Sequence, residues 1–241
     1  MELRSGWPIY TLTPKSGGTP RRTVFYLHGG AWVNEIASQH WRLAAQIAAE
    51  AGVHVAVPIY PLVPFATAVD VMPAVVDLVA EKMTADHSVC LAGDSAGGQM
   101  ALSAALMLRD ERRLVLPRTV LISPVLDVSL TNPSISGVRD PWLTRAGLLE
   151  FAGRWCGDLP MTDPMVSPLN GALTGLGPLS VFSGTRDILN PDARLLADQA
   201  AAAGIDIDYH ERGGLVHVYP LTPTPEGRAA RAVIVERLRE N

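Results

Sequence analysis

The sequence predicts an α/β fold, a mostly parallel sheet with helices on both faces, and three observations carry that expectation. Apolar, β-rich runs alternate with segments of helical spacing along most of the chain. Most of the strand-like runs are apolar at consecutive positions, the pattern of strands buried on both faces. The chain has 241 residues, 48% of them hydrophobic and 18% charged, which is long enough for one sizeable core and too apolar for a disordered chain. One domain is therefore expected.

Taken in order, strands are expected at 23–27, 53–59, 89–92, 119–122, 179–183 and 205–209, each rich in Val, Ile, Leu or aromatic residues. Helices are expected at 41–51, 69–83, 97–109, 191–203 and 226–240, where apolar residues recur at helical spacing. Asn190-Pro191 reads as a cap followed by proline at the first helical position. The stretch 127–177 breaks the rhythm, being rich in Pro, Gly, Asn and Asp with one helical pattern at 144–156. It is too long for an ordinary connection. Its Trp142, Leu148, Phe151 and Trp155 predict an ordered lid.

Bulk properties exclude several function classes. The net charge is −4, and basic pairs such as Arg21-Arg22 and Arg112-Arg113 are scattered, so no stripe suited to a phosphate backbone forms and nucleic acid is not expected as a partner. The first eight residues contain no apolar run of signal-peptide type, and no stretch approaches the roughly 20 apolar residues of a membrane span. A soluble, cytoplasmic protein is expected. Two cysteines, Cys90 and Cys156, imply no disulfide framework and are expected as free thiols.

Gly93-Asp94-Ser95-Ala96-Gly97-Gly98 follows a strand-like run and leads into a helical pattern. Strand, tight turn and helix are the context of a nucleophile elbow, in which glycines flank a strained serine and the helix N-terminus favours developing negative charge. Ser95 is therefore the candidate nucleophile; a turn serine is the alternative. His28-Gly29-Gly30-Ala31-Trp32 follows the strand at 23–27. Its small residues let backbone amides approach a substrate oxygen, so Gly30, Ala31 and Ala96 are expected to supply oxyanion donors while Gly29 shapes the turn. In such elbow enzymes the acid and base follow the serine in the order acid, histidine. Asp187 lies just past the strand at 179–183, whereas its competitor Asp192 falls in the first turn of the next helix and reads as a dipole-stabilising residue. His217, after Gly213-Gly214, is expected in a loop between the last strand and last helix. The remaining histidines read otherwise: His210 in a strand, His54 inside a buried strand and His40 at a helix start as structural residues, His87 as a surface residue. One near-neutral imidazole fixed by a carboxylate suffices to move the hydroxyl proton.

These motifs, with Leu121-Ile122-Ser123-Pro124-Val125-Leu126-Asp127, Asp163-Pro164-Met165-Val166-Ser167-Pro168 and Gly184-Thr185-Arg186-Asp187-Ile188-Leu189, resemble the hormone-sensitive-lipase family of bacterial carboxylesterases over about residues 22 to 220. The resemblance implies an α/β-hydrolase fold and cofactor-free hydrolysis of short-acyl esters, with small-molecule esters as substrates. It also suggests a homodimer through the last strand and helix. Ala31 stands where the family usually has a third glycine, adding a methyl beside the acyl site. Tyr60-Pro61-Leu62-Val63-Pro64-Phe65 lacks the arginine and acidic residue of the family's Tyr-Arg-Leu-Ala-Pro-Glu, so the family's packing of that loop is not carried over. About two dozen residues precede the first expected strand, where many relatives carry helices that complete a cap. A reduced cap, built from 127–177 over a more open pocket, is expected.

Trp32, Trp142, Leu143, Phe151, Trp155, Leu189 and Val216 are candidate pocket walls. The same constellation would serve an amidase, a lactonase or an aryl-formamide hydrolase. A non-catalytic receptor would be favoured by loss of the base, yet His217 is present. No interfacial helix favours a long-chain lipase. No histidine pair has metal-ligand spacing, so no metal is expected.

Overall fold

The computed structural model describes residues 1–4, 6–14, 22–86 and 88–239. The expectations for His87, Arg21 and Glu240 lie outside the described residues. An eight-stranded sheet has the order β1-β2-β4-β3-β5-β6-β7-β8, formed by β1 (Glu2–Arg4), β2 (Trp7–Leu12), β3 (Thr23–Leu27), β4 (His54–Pro58), β5 (Val89–Asp94), β6 (Thr119–Ile122), β7 (Leu179–Arg186) and β8 (Ile207–Val216). From β4 to β8 every pairing is parallel. Antiparallel pairing brings β1 and β2 onto the edge beside β4.

Alternation along each strand divides the core. In β3, Phe25 and Leu27 join a cluster with α2 (Ala68–Asp86), α3 (Ala96–Arg112), α4 (Arg145–Cys156) and α5 (Asn190–Ala202), while Val24 and Tyr26 face α1 (Ser38–Ala51) and α6 (Pro225–Leu238). Helices thus cover both faces, as the buried strands require. The strand β8 departs from the continuously buried pattern: it forms the other edge and is only half-buried or exposed along its length. Gly213 and Gly214 lie in this strand, not in a loop, and His217 follows directly after it.

The helix starts differ in how their orphan amides are satisfied. Thr144 and Thr224 accept hydrogen bonds from Gly147 N and Gly227 N at the starts of α4 and α6. Asn190 does not act as the expected cap. It is the first residue of α5, and its side-chain amide donates instead to Ser183, Tyr209 and Glu211. The stretch 127–177 is ordered, carrying 3₁₀ turns at Pro133–Gly137 and Pro168–Asn170 on either side of α4. Cys90 and Cys156 are buried free thiols, pushed up to about 11 by burial. No helix among the described residues is long and apolar enough to cross a membrane. No group of three or more His, Cys, Asp or Glu among them could hold a metal ion.

The topology delivers the loops after β3, β5, β7 and β8 to the carboxyl ends of parallel strands, where open α/β sheets form their binding crevice.

Candidate active site

Ser95 sits between β5 and α3 with φ 53° and ψ −117°, a conformation an L-residue adopts only under local strain. Its N–H donates to Ile122 O at 2.9 Å, and its carbonyl accepts from Val125 N at 3.1 Å, so the neighbouring strand and the loop beyond it hold the turn. The flanking glycine is sterically required. A Cβ on Gly97 would stand 1.9 Å from Leu27 O, so only glycine lets α3 start this close to the end of β3.

The turn aims the serine hydroxyl at His217. Ser95 Oγ lies 3.0 Å from His217 Nε2, and His217 Nδ1 lies 2.9 Å from Asp187 Oδ2. All three residues are buried, with Asp187 wholly so. The second oxygen of Asp187 accepts from Leu189 N at 3.0 Å. Burial by itself pulls the His217 pKa down, but the Asp187 carboxylate beside it, with smaller contributions from Asp140 and Asp94, outweighs that effect and the net shift is upward. A neutral imidazole in this chain can accept the hydroxyl proton and return it to a leaving group.

Gly30 and Ala31 line a cleft that also holds Ser95 and His217. Ala31 and Trp32 have φ of 53° and 59°, so the loop holds two successive non-glycine residues in the left-handed region, where glycine would be free of strain. The methyl of Ala31 therefore carries a conformational cost as well as a steric presence. Ala96 is the first residue of α3, so its N–H has no intrahelical acceptor. Gly29 differs from the other three residues of the expected oxyanion group. Its N–H donates to Asp94 Oδ1 at 3.0 Å and is spent on holding the loop; the turn-shaping role remains.

A buried polar network that sequence reasoning left unused lies behind this loop. Asp94 accepts from Tyr26 Oη at 2.6 Å and from Gly29 N, with His40 Nε2 at 3.3 Å. Burial opposes ionisation of Asp94, but its bonds from His40, Tyr26 and Gly29 and the nearby imidazole outweigh this, holding the carboxyl below its usual range. Since Ala37 N donates to His40 Nδ1 at 2.9 Å, the proton of a neutral His40 sits on Nε2, facing Asp94. Tyr60 donates to His28 O at 2.6 Å and stacks on the His28 ring at 4.5 Å. Its usable signal was the Tyr60-Pro61 stretch already singled out. Phe65, at the end of that stretch, is 89% exposed.

The cleft over Ser95 has a volume of about 410 Å³. Ala31, Leu143, Leu148 and Phe151 give it an apolar wall, and exposed Asn34, Glu35, Gln39 and Trp142 stand at its rim. Trp142, Leu143 and Phe151 thus lie where pocket walls were expected. Trp32, Trp155, Leu189 and Val216 do not. Trp32 and Trp155 stack at 5.6 Å and both donate to Gln99 Oε1, deep in the core. The side chain of Leu189 is buried, and Val216 ends β8 at the sheet edge. The apolar character of Trp32, Trp155 and Leu189 is used for packing. Depressions of about 400 Å³ and 550 Å³ lie elsewhere, but neither holds a hydroxyl–imidazole–carboxylate chain among the described residues.

Asp192 occupies the first turn of α5, as its sequence position suggested, yet its carboxylate does not act as a simple surface dipole partner. Burial raises its pKa, a hydrogen bond from Asn132 Nδ2 at 2.9 Å opposes this, and Asp127 adds to the rise, giving about 6. A carboxyl raised from 3.8 to about 6 leaves the folded state unpenalised below pH 4 and costs stability as pH rises through 6. Asp192→Asn removes that cost. We expect the variant to be more stable than wild type above pH 6, by on the order of 2 kcal/mol, with the gap closing toward pH 4. Urea unfolding at both pH values measures it; a gap that does not change with pH would exclude titration of Asp192 as its source.

Comparison with known proteins agrees with this architecture. Residues 24–221 match the family described as alpha/beta hydrolase fold. An acetyl-hydrolase of Streptomyces hygroscopicus is 34% identical over 227 residues, covering 90% of this chain and 75% of that protein. A crystal structure from Staphylococcus aureus, provisionally named an esterase, superposes with a TM-score of 0.94 at 28% identity, covering 100% of this chain and 82% of the other. An esterase structure from the bacterial hormone-sensitive lipase family gives a TM-score of 0.82 at 30% identity, with coverage of 99% and 86%. With the family match spanning most of the chain, and a 30%-identical esterase of the bacterial hormone-sensitive lipase family superposing over nearly all of it, the chain belongs to the α/β-hydrolase family, in its hormone-sensitive-lipase branch.

Proposed function

We propose that the chain is a serine carboxylic-ester hydrolase acting on short-acyl esters through an acyl-enzyme intermediate. The observation that carries this reading is the chain from Ser95 Oγ to His217 Nε2 at 3.0 Å and from His217 Nδ1 to Asp187 Oδ2 at 2.9 Å, at the floor of an accessible cleft. Ser95 Oγ attacks the ester carbonyl carbon while its proton passes to His217 Nε2. The amides of Gly30, Ala31 and Ala96 receive the developing oxyanion. Collapse of the tetrahedral species breaks the bond to the alcohol oxygen, which takes the proton back from Nε2. A water, deprotonated by the same nitrogen, then releases the acid and restores Ser95. Asp187 holds the imidazole in the tautomer that this sequence needs.

The stretch 127–177 acts as a reduced cap on a single domain. Leu143, Leu148 and Phe151 make it the apolar side of the cleft. Short acyl chains are supported by the name of the acetyl-hydrolase relative. Hydrolysis of p-nitrophenyl esters from acetate to palmitate tests the reading. Turnover peaking at short chains is the expected result; no turnover on any ester would move the activity to an amide or lactone, or to ligand binding alone.

A further inference from the structure

Asp140 lies between the 3₁₀ turn at Pro133–Gly137 and α4, and its carboxylate is held by backbone amides. Its Oδ1 accepts from Trp142 N at 2.8 Å and Leu143 N at 3.0 Å. Its Oδ2 accepts from Ile188 N at 2.9 Å. Trp142 and Leu143 line the cleft over Ser95, and Ile188 is the residue after Asp187. Two loops 48 residues apart in sequence therefore meet on one carboxylate.

We propose that Asp140 is a positioning residue for ester hydrolysis: it clamps the cleft wall of Trp142 and Leu143 to the loop carrying Asp187, the partner of His217. The inference rests on the proposed roles of Ser95, His217 and Asp187. On the far side of the Asp187 loop, Asp187 N donates to Gly184 O and Asn190 N donates to Asp187 O. Asp140 supplies the restraint from the side of the cleft. The charged groups acting on His217 are Asp187 past β7, Asp140 before α4 and Asp94 at the end of β5. Asp94 faces His40, and Glu35 stands at the rim of the same cleft. Asp140 is thus the member of the set that joins the 127–177 stretch to the imidazole.

The test uses the full chain with p-nitrophenyl acetate, comparing wild type, Asp140→Asn and Asp140→Glu. An asparagine cannot accept on both sides, so either Ile188 N or the Trp142 and Leu143 amides lose their acceptor, and the negative charge is gone. The kcat of Asp140→Asn should fall about tenfold, since small misplacement near reacting groups is costly. KM should change less. With one fewer anion facing the imidazole, protonation of His217 becomes harder, so the acid limb of kcat/KM should move to lower pH. Asp140→Glu should restore the acid limb.

Unchanged kcat together with an unmoved acid limb overturns the inference. So does a loss of kcat that follows a drop in Tm while the acid limb stays in place, because that pattern is loop stability alone. If Asp140→Asn does not fold by circular dichroism, Asp140→Ser, which keeps an acceptor but no charge, is read by the same criteria. Turnover retained in Ser95→Ala would bring down the underlying reading; Ser95-dependent turnover with an unaffected Asp140→Asn would bring down this inference only.

Discussion

Replacing Ser95 with alanine is expected to lower ester turnover by a factor of about 10⁴ or more, leaving the rate that oxyanion stabilisation and binding supply by themselves. The change removes one oxygen atom from a residue that is 8% exposed. The hydrogen bonds holding the turn belong to the Ser95 backbone, through Ile122 O and Val125 N, so the elbow and the cleft persist in the variant. A small shift in Tm beside a large loss of kcat is therefore the expected pair of results. Measured against a p-nitrophenyl ester, retention of more than a few per cent of wild-type kcat would mean that another group is the nucleophile.

The second large effect is expected at Asp187. In Asp187→Asn the side chain keeps its size but can offer an N–H to His217 Nδ1, which now carries no proton in the favoured tautomer. The nitrogen facing Ser95 Oγ is then the protonated one, and it cannot take the hydroxyl proton; a loss on the order of 10⁴ in kcat follows. Asp192→Asn is the paired measurement. Asp192 is as deeply buried as Asp187 and five residues away, but its partner is Asn132 Nδ2 rather than the imidazole. Its asparagine variant should stay within a few-fold of wild type. Equal losses in the two variants would reassign the acid.

The pH profile of wild type adds a direction to these magnitudes. His217 must be neutral to accept the proton, and Asp187 holds its pKa above the ordinary histidine value despite burial. The acid limb of kcat/KM is accordingly expected to be displaced upward from the ordinary histidine value, and Asp187→Asn should remove that displacement along with most of the activity.

What could be read from the chain alone follows from interactions between neighbours in sequence. Strands β3 to β7 and the six helices announce themselves through apolar period and turn residues, because those patterns reflect local sterics and burial. The Gly93–Gly98 turn and the order of Ser95, Asp187 and His217 are likewise local signals, and the fold brings those three residues into one hydrogen-bonded chain. The β1–β2 edge was not legible: its strands are short, polar in part and interrupted by Pro8, and β2 exists through pairing with β4 and β1 through pairing with β2. Nor could composition separate a wall from a core residue. Trp32 and Trp142 are the same residue type, and only the packing of Trp32 on Trp155 and Gln99 sends one inward and leaves the other 56% exposed at the cleft. Asp140, His40, Tyr60 and Asp94 acquire their roles from partners far along the chain, Ile188, Asp94, His28 and Gly29 in turn. Such contacts depend on where distant segments meet after collapse, so the sequence determined the elements and the reacting groups, and the tertiary structure decided what holds them in place.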